Sequence, residues 1–290
     1  MEKRQYLIGE HLIHLQMPYG QTIYLDNYEP FRIESNEKPP VFCATVVEQL
    51  PAENGQLIGR FDGDAATIWV YDSGEGCYRF NLSPTGEQIF AIMDTDSSFN
   101  KASICLFGNS AMRSFGLNNC LMILYAMSTA PLGTLLLHAS VVSYMGFAYL
   151  FLGKSGTGKS THSQLWLNHI EGSELVNDDN PVVRVFSNGH TIMFGSPWSG
   201  KTPCYLNRQF PVGALVRLRQ APVNNIAIDR PSKSFASILA SCSTIPWDKT
   251  IHSAVCDTIT HIVEKVNCFK LDCLPDADAA LLCMKTVAYE

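Results

Sequence analysis

No excess of basic residues marks this chain: 21 Lys and Arg stand against 27 Asp and Glu, a formal charge of −6. A protein that grips nucleic acid through its phosphates needs a positive face, so no nucleic-acid partner is expected. Zinc-knuckle spacing is missing as well. The ten cysteines, running from Cys43 to Cys283, include no C-x-x-C pair, and Cys268 and Cys273 have no histidines at ligand spacing. No apolar leader follows Met1-Glu2-Lys3-Arg4-Gln5, so no secretory signal is expected. The stretch to test as a membrane span is 120–137, and it is interrupted by Ser128, Thr129, Pro131, Gly133 and Thr134. A helix there stops near Thr129, which predicts a buried helix and then a buried strand, with no membrane partner. Thiols buried in an acidic chain without a leader fit a reducing, cytoplasmic setting. Repeats and low-complexity segments are absent too.

What is present is an ordinary globular balance, 46% hydrophobic and 17% charged, in 290 residues, enough for one large domain or two modest ones. Residues 1–110 read as many short strands divided by turn chemistry: 6–15, 21–25, 30–33, 41–47, 56–61, 67–71, 77–81, 88–93 and 102–106. That spacing predicts a β-rich meander or sandwich, and no chemical motif lies within it. Residues 111–290 alternate helix and strand. A helix over 110–128 has Leu121, Met122, Leu124 and Tyr125 as core. Strands over 135–144 and 147–152 are joined at Met145-Gly146 as a tight hairpin. Apolar spacing over 251–266 predicts a long helix, and Asp276 opens a last one. His11 and His14 read as sheet-surface residues.

The most informative feature is Gly153-Lys154-Ser155-Gly156-Thr157-Gly158-Lys159-Ser160, which fits G-x-x-x-x-G-K-[ST]. The apolar run 147–152 reads as a strand leading in, and 161–169 as a helix leading out. In that setting the glycines let the backbone curl so that several N–H groups face one oligophosphate. Lys159 then reaches the β- and γ-phosphates, and the Ser160 hydroxyl ligates Mg²⁺. The bland reading is a glycine-rich turn, and the flanking strand and helix weigh against it.

Moving a phosphoryl group also needs a metal contact and a base. Asp178 and Asp179, at the end of a short strand, can supply both, since successive residues leaving a strand point opposite ways. An acidic surface turn is the competing reading of Asn177-Asp178-Asp179-Asn180. His138 interrupts a leucine run; alone it would be a hydrogen-bonded core residue, and beside a phosphate site it becomes an active-site candidate. The loop Gly195-Ser196-Pro197-Trp198-Ser199-Gly200-Lys201 either places Lys201 near an anionic substrate or is a structural connection. Arg217, on one strand face with Arg219, either offsets transition-state charge or forms a surface ion pair.

His138-Ala139-Ser140, the hairpin, the stretch from Leu152 to Thr161 and Asn177-Asp178-Asp179 together resemble the kinase core of HPr kinase/phosphorylase. The same order resembles ATP-dependent phosphoenolpyruvate carboxykinase, which shares that core. The resemblance spans 117–179, is weaker to the C-terminus and leaves out the β-rich part. It implies that Lys159 contacts the transferring phosphate and that Ser160 and Asp179 contact Mg²⁺. It also implies that the Asp178/Asp179 pair provides both a base and a metal contact, and that His138 assists the base or touches a metal. Gly153, Ser155, Gly156, Thr157, Gly158 and Thr161 complete the nucleotide site. Leu117-Asn118-Asn119-Cys120 has no lysine for a second metal, which weighs against oxaloacetate decarboxylation. The signature loop of the HPr enzymes is missing after the aspartate pair, which weighs against a phosphocarrier protein as substrate.

The expectation is therefore an α/β chain, α+β overall. A β-rich domain, 1–110, precedes a mixed-sheet P-loop kinase core of the HPr kinase/carboxykinase type, 111–290. The activity expected is ATP- and Mg²⁺-dependent transfer to a hydroxyl acceptor, foremost a serine of a protein or peptide. A small-molecule kinase and a nucleotide-binding regulator without transfer are the alternatives. The HPr enzymes form ring-like homo-oligomers, so the resemblance implies a homo-oligomer.

Overall fold

A computed structural model describes residues 1–288 other than 53, 54, 64, 65, 85, 87 and 201. The chain divides into two compact units, Met1–Thr129 and Ala130–Glu290. The division lies further along than residue 110, at the end of the first long helix.

In the first unit β1 (Glu2–Ile8), β2 (His11–Met17), β3 (Arg32–Ile33), β4 (Phe42–Val47) and β5 (Gln56–Asp62) are followed by β6 (Thr67–Gly74), β7 (Cys77–Ser83), β8 (Ala91–Thr95) and β9 (Lys101–Leu106). They form one sheet in the order β3-β1-β2-β4-β9-β8-β7-β6-β5. The run β9 to β5 is an antiparallel meander, while β4 lies parallel to both β2 and β9. A single sheet backed by a helix replaces the sandwich alternative. Helix α1 (Ser110–Thr129) packs on β9, β8, β4 and β7. Gly116 sits at the closest approach, where a Cβ would come within 2.9 Å of the Ala91 side chain.

Three expectations in this unit are corrected. The strand expected over 6–15 is a hairpin, because Gly9 and Glu10 both take left-handed backbone angles (φ 54° and 63°) and reverse the chain. No strand forms over 21–25, which leads instead into a 3-10 turn at Asp26–Phe31. His11 is not a surface residue: it is 4% exposed, with its ring edge against Tyr125.

In the second unit β10 (Thr134–Leu136), β11 (Ala139–Tyr144) and β12 (Phe147–Leu152) precede α2 (Lys159–His169). β13 (Glu174–Asn177), β14 (Val182–Val185), β15 (Thr191–Phe194), β16 (Gln209–Gln220) and β17 (Asn225–Ile228) come next, then α3 (Pro231–Ser241), α4 (Lys249–Lys265), β18 (Asn267–Cys273) and α5 (Ala277–Val287). The twelve-residue β16 organises the sheet. Its first residues pair antiparallel with β15, and its remainder lies parallel between β12 and β18. Beyond β12 come β11 and then β13, both joined antiparallel. All of β12 after Phe147 is buried, as a parallel strand covered on both faces requires. The hairpin between β11 and β12 turns at Met145 and Gly146, whose φ values of 50° and 82° suit a two-residue primed turn.

Trp166 fastens α2 to this sheet. It is wholly buried, with ring centroids of Tyr149 and Phe151 at 5.3 and 5.6 Å, and α5 closes the same cluster through Ala280 and Cys283. Truncating such a residue costs about 3–5 kcal/mol, so the start of α2 is held firmly relative to β12.

The strand expected over 135–144 is broken. At Leu137 and His138 the chain leaves β14 and pairs with the end of α3: Leu137 bridges Cys242, and His138 N donates to Ser241 O at 2.7 Å. Large sheets of mixed strand direction with covering helices make the whole an α/β protein. Among the described residues no helix is long and apolar enough to cross a membrane. All ten cysteines are free thiols, and Cys105, Cys120 and Cys283 are the buried ones; the other seven are partly exposed, unlike the buried set expected.

Candidate functional site

Strand directions decide which residues meet. β12 and β13 end, and the antiparallel β11 begins, at one end of the sheet. The residues just beyond those three ends are therefore neighbours: 153–160 after β12, 178–180 after β13, and His138 before β11. Ligands of open α/β sheets bind outside the carboxyl ends of parallel strands for the same reason.

The loop after β12 is built from its glycines. Gly156 and Gly158 take φ of 78° and 104°, angles that side chains disfavour, and nothing lies within 4 Å of where a Gly156 Cβ would be. Thr157 closes the bend, its N and Oγ1 both donating to Lys154 O at 3.1 and 2.6 Å. No side chain caps the N-terminus of α2, so its first N–H groups are available to an anion. Ser155, Ser160 and Thr161 are exposed on this rim.

Lys159 is 9% exposed, and its ammonium crosses the mouth of the loop. Nζ donates to Gly153 O at 3.0 Å and lies 2.8 Å from His138 Nε2. On the other side of the ring, His138 Nδ1 is 2.8 Å from Asp179 Oδ1. An ammonium only donates and a carboxylate only accepts, so the Nδ1–H tautomer of His138 satisfies both contacts at once. Asp179 is held further by Asn180 Nδ2, which donates to Oδ2 at 2.8 Å, and Ala139 N donates to its carbonyl at 2.9 Å.

Asp178 points elsewhere. It is 8% exposed and its Oδ1 accepts from Ser140 Oγ at 2.6 Å. Ser140 Oγ in turn lies 2.6 Å from Ser163 Oγ on α2. Among the described residues Asp178 Oδ2 has no partner. The adjacent carboxylates thus face opposite ways, one onto a histidine and one onto a serine.

The Gly195–Gly200 loop braces the aspartate turn. Ser196 Oγ accepts from Asn177 Nδ2 and Trp198 N, both at 3.1 Å, and donates to Asn180 O at 2.6 Å. Gly200 fits against Asp178, where a Cβ would stand 3.0 Å from its carbonyl oxygen. Lys201 lies outside the described residues. Arg217 sits beside Leu152 in the sheet with both Nε and a terminal nitrogen 2.7 Å from Asp229 Oδ2, so any substrate contact must compete with that pair.

Two nearby groups are poor proton carriers at neutral pH. Burial drives His162 down to about 4, and its Nε2 accepts from Trp166 Nε1 at 3.2 Å. Burial first, then the charges of Asp178 and Glu174, pushes the Cys204 thiol up to about 11. Among the described residues no three His, Cys, Asp or Glu side chains cluster as a metal cage.

Sequence reasoning missed Ser163, Gln220 and Asp229, and named Ser140 and Ser196 only as members of motifs, with no role of their own. Gln220, at the end of β16, donates to Gly156 O and Thr157 O at 3.2 and 3.4 Å, tying two carbonyls of the loop to the sheet. Ser140 carried a signal, a lone hydroxyl in the run Ala139-Ser140-Val141-Val142; the other partners depend on long-range pairing.

No protein-family model and no curated protein matches this sequence. Among solved structures, the chain is similar to the HPr(Ser) kinase/phosphatase from Coxiella burnetii at a TM-score of 0.29 and 16% identity, over 53% of this chain and 93% of that one. So loose a superposition transfers no residue roles, and the functional reading rests on the chain's own geometry.

Proposed function

We propose that this protein is a phosphotransferase that moves the γ-phosphoryl group of ATP to a hydroxyl, foremost a serine of a protein or peptide. One observation carries the reading: Lys159, at the mouth of a glycine loop, is joined through His138 to Asp179 while Asp178 stands beside it with one carboxylate oxygen unengaged among the described residues. The order of these residues, which resembles that of the HPr kinase core, supports the same class and suggests a homo-oligomer; free thiols in an acidic chain fit a reducing cytosol.

The fit to nucleotide rests on the open space at Gly156, the uncapped start of α2 and the buried lysine. In this reading the α2 N–H groups and the Lys159 ammonium hold phosphate oxygens and offset charge as it develops. The Ser160 hydroxyl and Asp179 would hold Mg²⁺, which would supply further charge neutralisation; magnesium sites use few protein ligands, so no cage is needed. The acceptor O–H gives its proton to Asp178 Oδ2 as the new O–P bond forms and the bond from γ-phosphorus to the β–γ bridging oxygen breaks, leaving ADP. Asp179 keeps His138 oriented, and His138 keeps Lys159 in place.

Incubation with γ-labelled ATP and separated protein, peptide and metabolite fractions tests this. Label on serine in a protein or peptide is the expected result. Label on a metabolite would make the protein a small-molecule kinase. Tight ATP binding with no label transferred would leave a nucleotide-binding regulator and overturn the proposal.

A further inference from the structure

Ser140 and Ser163 are each 1% exposed and lie on different elements, β11 and α2. Their hydroxyls are 2.6 Å apart, and Ser140 is also 2.6 Å from Asp178 Oδ1. Each hydroxyl has one hydrogen. An ionised carboxylate can only accept, so the Ser140 hydrogen goes to Asp178 and the Ser163 hydrogen goes to Ser140. The direction is therefore fixed: from the phosphate-loop helix, through the strand, to the carboxylate. Both distances fall in the short range of strong O–H···O bonds.

We infer that Ser140 and Ser163 are positioning residues that tie the Asp178 carboxylate to the helix beginning at the phosphate loop. Ser163 stands one turn after Lys159 on α2, so the lysine at the loop and the serine anchoring Asp178 belong to one rigid segment. With Oδ1 held from behind, the carboxyl plane cannot rotate freely, and Oδ2 keeps a fixed aim. The functional side of this inference rests on the phosphoryl-transfer reading above; the hydrogen-bonded relay does not.

Two measurements on the full chain test it. In steady-state transfer assays, Ser140→Ala should lower kcat about ten- to a hundredfold, the effect of losing a hydrogen bond to a charged group, with nucleotide affinity unchanged. Ser163→Ala should lower kcat less, about three- to tenfold, and the double variant should be no worse than Ser140→Ala alone. In an Asp178→Asn background, Ser140→Ala should change the rate no further. A further loss there equal to that in the parent, or a parental kcat in Ser140→Ala, would overturn the positioning role. Carboxyl ¹³C NMR gives a readout independent of turnover, with the Asp178 resonance assigned by its disappearance in Asp178→Asn. Ser163→Ala should move that resonance although Ser163 does not touch Asp178; an unmoved resonance sinks the relay. That variant leaves the Ser140–Asp178 contact in place, so it also decides the matter where Ser140→Ala fails to fold. If the parent transfers no label, the function proposed above fails, and the NMR result still decides whether the relay exists.

Discussion

Both units are built on nine-stranded sheets, yet polar residues converge beyond the strand ends of the second in a way that the first does not match. In the N-terminal sheet Arg79 on β7 and Asp94 on the neighbouring β8 stand directly opposite and bond at 2.5 and 2.6 Å. Such a pair fixes the register of two neighbouring strands. In the C-terminal sheet Arg219 and Asp272 make a similar cross-strand pair, but a second set of polar contacts gathers residues from beyond the ends of the strands and from α2. Lys159 on α2 reaches His138 ahead of β11, which reaches Asp179 beyond β13, and Ser163 reaches Asp178 through Ser140. The difference follows from strand direction. An antiparallel meander returns each strand through a local turn, whereas β12 and β13 run the same way on either side of β11 and bring distant parts of the chain to one end of the sheet.

Four substitutions break or sharpen that contrast. Lys159→Met, which keeps the buried stem, should weaken ATP binding by about a hundredfold or more in a calorimetric titration. Equal binding in the variant would remove the phosphate-loop claim. Gly195→Ala should be the next most damaging, because the added Cβ would stand 1.9 Å from Leu206 O and the brace on the aspartate turn must shift. A loss of about 3 kcal/mol in urea unfolding is expected, with transfer falling alongside.

Arg79→Ala should cost about 2–3 kcal/mol of stability by leaving Asp94 half-buried and unpaired, while ATP affinity stays as in the parent. A change in affinity there would mean that the two sheets are not divided in role as described.

The smallest effect is one of pH. His162 is held near 4 by burial, below its usual 6.5, so the unfolded chain binds the proton more readily. The stability this contributes is complete above the unfolded pKa and falls as pH drops from there toward 4. A loss of about 1 kcal/mol by pH 5.5 is expected, and it should be absent in His162→Gln. An unchanged slope in that variant would assign the pH dependence to other groups.

What was legible in the sequence was local. The glycine loop, the hairpin at Met145-Gly146 and the helix opened by Asp276, whose carboxylate accepts from Ala279 N at 2.9 Å, all depend on residues close in the chain. The break at Leu137-His138 was hidden because the leucine run stays apolar while its partner changes from β14 to the end of α3. The hairpin within 6–15 was hidden for a similar reason: apolar residues on both sides of Gly9-Glu10 mask the turn. Asp178 and Asp179 could be picked as a pair, but their opposite orientations required Ser140 and His138 to be in view.

The central claim is that the carboxyl ends of the C-terminal sheet hold a phosphoryl-transfer site with Asp178 as its base. A single-turnover assay with γ-labelled ATP, run on the parent and on Asp178→Asn at matched nucleotide occupancy, tests it most directly. Label should pass to a hydroxyl acceptor in the parent and slow by about 10²–10⁴-fold in the variant, with ATP binding retained. Equal transfer by both proteins, or bound ATP that never gives up its label in the parent, would contradict the account.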